Sequence, residues 1–477
     1  MNPSIARLLF AVGIAGLFYL NRDKSVRTSR ALWIPVIWLW IIGSRSVSLW
    51  LSGASPNPSA EGTSTDTLVY SLLLASGVVL LARRGQRTLS VAVASWPIVL
   101  YFLFSLMSVA WSDFPGVAIR QWIKATGDLV MALVVVTEPQ AIAALRRLFS
   151  RVGFVLLPAS VLLIKYYPNL GRRYGEWVGE QHNTGVTTDK NLLGLITYIL
   201  TLGALWQILR LWRNRDLPDR TRQLVAQCTL FGFGIWLLGS ADSATSIMCF
   251  TIGAVLILAL NWRRIGGRPA DVHKFVLTLV VVVGLIELTG AYAAIVHALG
   301  RKTDLTGRTD IWSVLIPMAP NSLIGAGFES FWQGSRLQRV WDAFPNLHVN
   351  EAHNGYLEVY LNLGAIGLIL VVAILIHGYF RAVATFRTDR SAAGLMLAYV
   401  VTAVMYSYTE AGFRMLSYAW SFLLLAIIAA SRISRFTVQA PSRAPVEASR
   451  RLIANGQSAS VPTNHAPARE EFQFPTR

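Results

Sequence analysis

The stretch NLLGLITYILTLGALWQILRLW, Asn191–Trp212, decides the fold, because it is apolar on every helical face and long enough to cross a bilayer. A soluble helix would carry its apolar residues as a stripe; here only the ends are polar. Four more stretches meet or approach that length: Ser90–Trp111, Lys274–His297, Tyr356–Ile376 and Met415–Ser431. The whole chain agrees, with 54% hydrophobic and only 14% charged residues among 477, against roughly a quarter charged in soluble domains. The chain therefore reads as an all-α polytopic membrane protein of about 13 transmembrane helices. Its first span includes the apolar run Leu8–Leu20, and the absence of a small-residue cleavage pattern marks it as uncleaved.

A formal net charge of +18 raises the question of nucleic acid. The basic residues lie in short clusters between apolar blocks, with no basic face and no interleaved aromatic platform, so no nucleic-acid partner is expected. Membrane topology explains them, since Lys and Arg flanking short loops are retained in the cytoplasm. On that rule the cytoplasmic segments are Asn21–Arg30, Arg83–Arg87, Thr137–Arg147, Arg210–Arg222, Asn261–Lys274, His377–Arg390 and a tail from Ser431. The outward segments are Gly53–Asp66, Ser112–Arg120, Asn169–Lys190, Ser240–Ser243, Gly300–Ala352 and Tyr408–Arg414. This gives three regions: a helical bundle over 1–430, one large extracytoplasmic loop over 300–352 within it, and a basic cytoplasmic tail over 431–477. The tail is poor in large apolar residues and is expected to be disordered.

Basic residues on the outward side need another reason. They are Arg120, Lys124, Arg172, Arg173, Lys190, Arg301, Lys302, Arg308, Arg336 and Arg339. A guanidinium fork suits phosphate, and a lipid-borne phosphate lies at this depth. Loop salt bridges to Asp113, Glu176, Glu180, Asp304, Asp310 and Asp342 explain any single one equally well. Arg45, inside the expected span Leu32–Leu51, is either functional or snorkelling. Cys228 and Cys249 sit in apolar blocks and read as packing residues. Four histidines, His182, His297, His348 and His353, fall near the outer face, but no helical ligand pair such as His-x-x-x-His occurs, so no metal site is expected.

The order of several pieces is informative. Gly307-Arg308-Thr309-Asp310-Ile311-Trp312 is followed by Gly325-Ala326-Gly327, then by His353-Asn354-Gly355-Tyr356-Leu357 at the entry to a span carrying Gly364 and Gly367. In this order the chain resembles the O-antigen ligase and O-antigen polymerase superfamily, and within it the ExoQ-type exopolysaccharide polymerases. The likeness is sharpest over about Phe231–Leu370. Gly185–Asn191 resembles the family's Gly-x-x-x-x-Lys-Asn element. Where relatives carry a basic residue after the next span, this chain has Ser240–Ser246, which leaves a phosphate contact to be supplied elsewhere, with Arg172 and Arg173 as candidates.

The resemblance implies a GT-C-like glycosyltransferase in the bacterial inner (cytoplasmic) membrane, with its active site facing the periplasm. It implies a polyprenyl pyrophosphate-linked oligosaccharide donor, a glycan acceptor, surrounding membrane lipid, no cofactor, and a flippase and chain-length regulator as partners. Arg308 then clamps the pyrophosphate. His353 is the general base or orients the acceptor, because imidazole titrates near neutrality. Arg120, Arg172, Arg173, Lys190, Glu351, Asn354 and Tyr356 are the expected substrate contacts. Polymerase and ligase share donor and motif, and a transporter of lipid-linked glycan is the reading from another class.

Overall fold

The computed structural model describes residues 2–23, 26, 28–52, 63–174, 181–262, 268–289, 306–345 and 349–439. It divides into a unit Met1–Arg435 and a second unit Phe436–Arg477, of which only Phe436–Gln439 are described. The first unit is a bundle of helices. In chain order these are α1 (Pro3–Leu20), α2 (Trp33–Ile42), α3 (Val47–Ser52), α4 (Ser64–Arg84), α5 (Gln86–Ala94), α6 (Trp96–Met107), α7 (Pro115–Val136), α8 (Ala141–Tyr166) and α9 (Pro168–Gly171). A short hairpin, β1 (Arg172–Tyr174) with β2 (Gln181–Asn183), comes next. Then follow α10 (Lys190–Arg213), α11 (Arg220–Ala241), α12 (Ala244–Asn261), α13 (Pro269–Leu288), α14 (Thr306–Leu315), α15 (Gly334–Ala343), α16 (Gly355–Thr385), α17 (Arg390–Thr409) and α18 (Tyr418–Gln439).

Local sequence sets the starts of these helices. Asn2, Thr63, Asp189, Ser243, Asn354 and Asp389 cap α1, α4, α10, α12, α16 and α17 with side-chain oxygens that accept from first-turn N–H groups. Among the described residues eight helices are long and apolar enough to cross a membrane, or nine if α5 and α6 count as one span. Apolar side chains such as Leu8, Val12, Leu72 and Ile369 remain exposed, a surface suited to lipid. The interior packs around Phe149, Trp206, Tyr399 and Phe422, with Phe149 stacked on Tyr399 at 5.8 Å. Cys249 is buried against the Thr402 carbonyl, whereas Cys228 is exposed.

Three expectations change. Ser90–Trp111 is not one straight span: it bends by 89° at Ser95, where Pro97 removes a backbone donor and begins a new helix. Arg45 does not lie within a helix, because α2 ends at Ile42 and Gly43 caps it. Arg45 sits in the break before α3, where it donates to the Leu170 carbonyl and its own N–H meets Val186 O at 3.1 Å. The last helix runs past Ser431 to Gln439, because Ser431 and Ser434 are buried and Arg432 donates to the carbonyls of Val136 and Glu138 at the end of α7. Residues 440–477 of the expected tail lie outside the described residues, as do Arg301, Lys302, Glu176, Glu180, Asp304, His297, His348 and most of Gly53–Asp66.

Segments assigned to one side of the membrane by charge meet one another. At one end Ser112 bonds Ser330 at 2.7 Å, Trp111 donates to Ile324 O at 3.2 Å, and Asn183 donates to Ser240 O at 3.0 Å. At the other end Glu138 accepts from Ser29 and Arg84, and Arg147 donates to Thr28, Asp23 and Val26. The 300–352 segment contributes α14 and α15 to the first end.

That segment is locked into α16 by backbone. Gly364 (φ 64°) breaks α16, and the amides on either side of the break pair with the loop instead. Ala365 N donates to Ser322 O at 2.8 Å and Ile366 N to Leu323 O at 3.1 Å, while Ala326 N donates to Leu361 O at 3.1 Å and Gly327 N to Asn362 O at 2.9 Å. Irregular backbone at such a place persists only if its polar groups are satisfied in this way. A Cβ on Gly364 would lie 2.3 Å from the Leu323 backbone, and one on Gly325 2.4 Å from that of Asn362. Gly364→Ala should therefore cost at least ~1–3 kcal/mol and lower the apparent melting temperature in lipid. Gly284→Ala, with open space around it in α13, is the control that should leave it unchanged or slightly raised.

Candidate functional site

The site grows from α14. Arg308 and Trp312 are four residues apart and share one helix face. Trp312 Nε1 donates to Ala352 O at 2.7 Å, which brings the His-Asn segment alongside the Gly-Arg-x-x-x-Trp helix. Glu358, on α16, grips the same residue from the other side: its Oε1 accepts the Ala352 N–H at 2.5 Å and its Oε2 accepts Trp332 Nε1 at 2.9 Å. With both polar groups of Ala352 engaged, His353 follows in the left-handed region at φ 47°, an uncommon conformation for any residue but glycine.

Arg308 reaches across to the α17–α18 connection, donating to Thr409 O and, through Nη2, to Glu410 Oε1 at 2.8 Å. Glu410 is 5% exposed, and its second oxygen lies 3.6 Å from His353 Nδ1. Glu351 Oε1 is nearer, at 3.0 Å, an ion-pair contact rather than an aligned hydrogen bond. Arg414 closes the set, with Nε 3.5 Å from Glu329 Oε2 and Nη1 3.7 Å from Glu351 Oε2. The side chains of Glu351, His353 and Arg414 keep 30%, 33% and 31% of their surface open although protein surrounds them on the other sides, so they form the floor of a recess.

The electrostatics follow from this geometry. Burial alone would lower the His353 pKa, but the Glu351 and Glu410 carboxylates outweigh it and raise the imidazole to about 10. Burial alone would raise Glu351, yet His353, Arg414 and Arg308 hold it down at about 2. Arg414, between Glu329, Glu358 and Glu351, is raised further despite its burial. Near neutrality His353 is thus an imidazolium between two carboxylates. Its role in this arrangement is that of a cation and hydrogen-bond donor.

Other expected residues are distributed as follows. Asn354 Oδ1 accepts from Tyr356 N and Leu357 N, and its Nδ2 donates to Tyr408 O at 3.2 Å, so its amide is engaged in starting α16. Tyr356 donates its hydroxyl to Val404 O at 3.1 Å and packs edge-on against Phe413. Lys190 opens α10 beside its cap Asp189, which lies within electrostatic reach of Glu351 and Glu410. Arg172 and Arg173 are on β1, outside the cluster, and the charge of Arg173 acts on Arg45. Their hairpin is tied to the Ser240 turn by Asn183. Arg120 is exposed on α7, and Arg336 pairs with Asp113 at 2.7 Å.

Sequence reading missed Glu410, Arg414, Glu329 and Glu358. A signal for two of them existed: Glu410-Ala-Gly-Phe-Arg414 places an acid and a base in a short outward loop between apolar helices. Glu351, His353 and Glu410 have ligand atoms within 4.8 Å of one another and could hold a metal ion, an arrangement their spacing in sequence did not foretell. Arg308 on Glu410 and Arg414 near Glu351 already balance those carboxylates, so the set reads as an ion-pair network.

Residues 228–372 match the family described as O-antigen ligase. This segment is an O-antigen ligase-family domain. Over 293 residues the chain is also 27% identical to the exopolysaccharide production protein ExoQ of Rhizobium meliloti (strain 1021), covering 59% of this chain and 63% of that one, less than two-thirds of the relative. The chain is thus similar to the O-antigen ligase family over residues 228–372 and to the ExoQ protein over the 293 residues aligned with it. The matched family segment contains Arg308, Glu351, His353 and Glu358, whereas Glu410 and Arg414, which complete the ion-pair network, come from beyond its end.

Proposed function

We propose that this protein is a membrane glycosyltransferase that polymerises polyprenyl pyrophosphate-linked oligosaccharide repeat units on the periplasmic face during exopolysaccharide or O-antigen synthesis. The observation that carries the reading is the convergence of Arg308, His353 and Arg414 with Glu351 and Glu410 in an open recess at the end of the bundle opposite its basic loops. Reading α1, α2, α4, the α5–α6 pair, α7, α8, α10–α13 and α16–α18 as thirteen spans, with the basic clusters kept in the cytoplasm by their charge, supports an outward-facing recess and a GT-C-like plan.

The donor brings its own leaving group, so neither nucleotide nor metal is required. The acceptor hydroxyl attacks the anomeric carbon, the bond to pyrophosphate breaks, and negative charge develops on the departing phosphate oxygen. Arg308 exchanges Glu410 for that oxygen, with the His353 imidazolium as second donor. Glu410, released from Arg308, accepts the hydroxyl proton, the step first assigned to His353. Glu351 and Arg414 hold His353 in place. Lys190 borders the recess beside Asp189. Arg172 and Arg173 contact the distal phosphate, and Arg120, Asn354 and Tyr356 line the approach. A ligase delivering finished glycan to lipid A core or a protein would use the same groups, and a flippase and chain-length regulator would act before and after.

The test is turnover of a polyprenyl pyrophosphate-linked repeat unit by purified protein in lipid, scoring glycan length and released carrier. A ladder of products lost in His353→Ala is the expected result. Single addition to a distinct acceptor would make the protein a ligase, and carrier movement between leaflets without any glycan transfer would overturn the transferase reading.

A further inference from the structure

Asp128 is an acid in the body of α7, only 2% exposed, which the chemistry above does not use. An ionisable group within a span is costly and calls for an explanation. Its partners supply one. Oδ1 accepts from Trp38 Nε1 on α2 and from Ser421 Oγ on α18, both at 2.9 Å, while Oδ2 accepts the backbone N–H of Leu416 at 2.9 Å. Gly127 lets the indole come close against α7, since a Cβ there would fall 2.0 Å from the Trp38 ring.

Leu416 belongs to the connection that carries both Glu410 and Arg414. That connection is a run of tight turns: Gly412 N donates to Glu410 O at 2.8 Å, Arg414 N to Ala411 O at 3.2 Å and Ser417 N to Arg414 O at 3.2 Å. Leu416 itself is left-handed, at φ 56°. A branched side chain held in that region needs a compensating contact, and the carboxylate on its N–H is one.

We infer that Asp128 is a positioning residue: through Leu416 it sets the Glu410–Ser417 connection, and so the place of Glu410 and Arg414 opposite Arg308 and His353. It acts through the loop and touches no reacting atom. Its catalytic consequence rests on the proposed function, but its effect on the loop does not.

Full-length protein in lipid nanodiscs separates the two. Hydrogen–deuterium exchange across 410–417 is compared for wild type, Asp128→Ala, Asp128→Asn and Ser421→Ala. In Asp128→Ala the connection should exchange roughly tenfold faster or more, with α8 and α10 unchanged. Ser421→Ala, which leaves the Leu416 contact intact, should stay within about twofold. In the same preparations kcat should fall in Asp128→Ala while KM for the lipid-linked donor holds. Unchanged exchange at 410–417 in Asp128→Ala, or faster exchange spread evenly over all helices, would overturn the inference. If Asp128→Ala does not assemble, Asp128→Asn decides: with one acceptor oxygen in place of two it should still loosen the 410–421 region selectively, and wild-type exchange there at the rate of free chain would also refute it. Selective loosening without any wild-type glycan transfer would remove the proposed function and leave the positioning role standing.

Discussion

Arg308→Lys is expected to lower the rate of glycan transfer by at least ~100-fold while leaving the protein folded. The guanidinium reaches two acceptors at once, the Thr409 carbonyl and Glu410 Oε1. A lysine keeps the positive charge beside Glu410, so the buried carboxylate stays compensated and the bundle keeps its ion pair. What it loses is the planar fork that can hold a phosphate oxygen while charge develops there. The loss of one such preorganised donor typically costs ~10²–10³ in turnover. Arg308→Ala is a poorer test, because it also strands Glu410, and a fall in activity would then mix chemistry with folding. Single-turnover release of the carrier pyrophosphate from purified Arg308→Lys, alongside its melting curve, separates these effects. Near-wild-type turnover would take Arg308 out of the pyrophosphate clamp.

The fold was legible in the sequence because lipid imposes length and charge rules that survive without any neighbour. Asn191–Trp212 reads as a span from its own composition, and the basic clusters sort the loops to the two ends where the structure joins them. What could not be read is where a span breaks. Ser95–Pro97 and Gly364 look alike as interruptions in apolar runs, yet the first bends the chain and the second lets a distant loop insert its backbone. The difference lies in the partner, residues 321–327, which are nearby only in three dimensions.

The site was legible in part for the same reason. Arg308 and His353 carry a local pattern, and the structure brings them together through Trp312 and Ala352. Glu410 and Arg414 carry only a faint one, an acid and a base in one short loop, and their meaning comes from a connection that folds back over α14 and the residues before α16. The role given to His353 changes with them. Free imidazole suggests a base; between Glu351 and Glu410 the same ring is a cation. Neighbouring charges decided this, and the neighbours lie at positions 351 and 410.

Arg414→Gln should be the most destabilising of the charge changes in the recess, because that one guanidinium serves Glu329, Glu351 and Glu358 together. Removing one partner of a buried pair costs ~3–5 kcal/mol, and with about a third of Arg414 open to water ~2–3 kcal/mol is the expected size. The pH dependence gives the variant a distinguishing sign. In wild type, Glu351 falls from an ordinary 4.5 to about 2, so its contribution is present above 4.5 and lost as pH falls through 2. His353 rises from 6.5 to about 10, so its contribution is full below 6.5 and lost as pH rises through 10. In Arg414→Gln the acids no longer have that cation, and their affinity for protons rises in the folded state. Protonating one of them as pH is lowered then restores the balance, so the gap in apparent melting temperature between variant and wild type should narrow from pH 8 to pH 5. A gap that is constant over this range would mean that Arg414 contributes packing alone, and that the carboxylates around it are compensated by other groups.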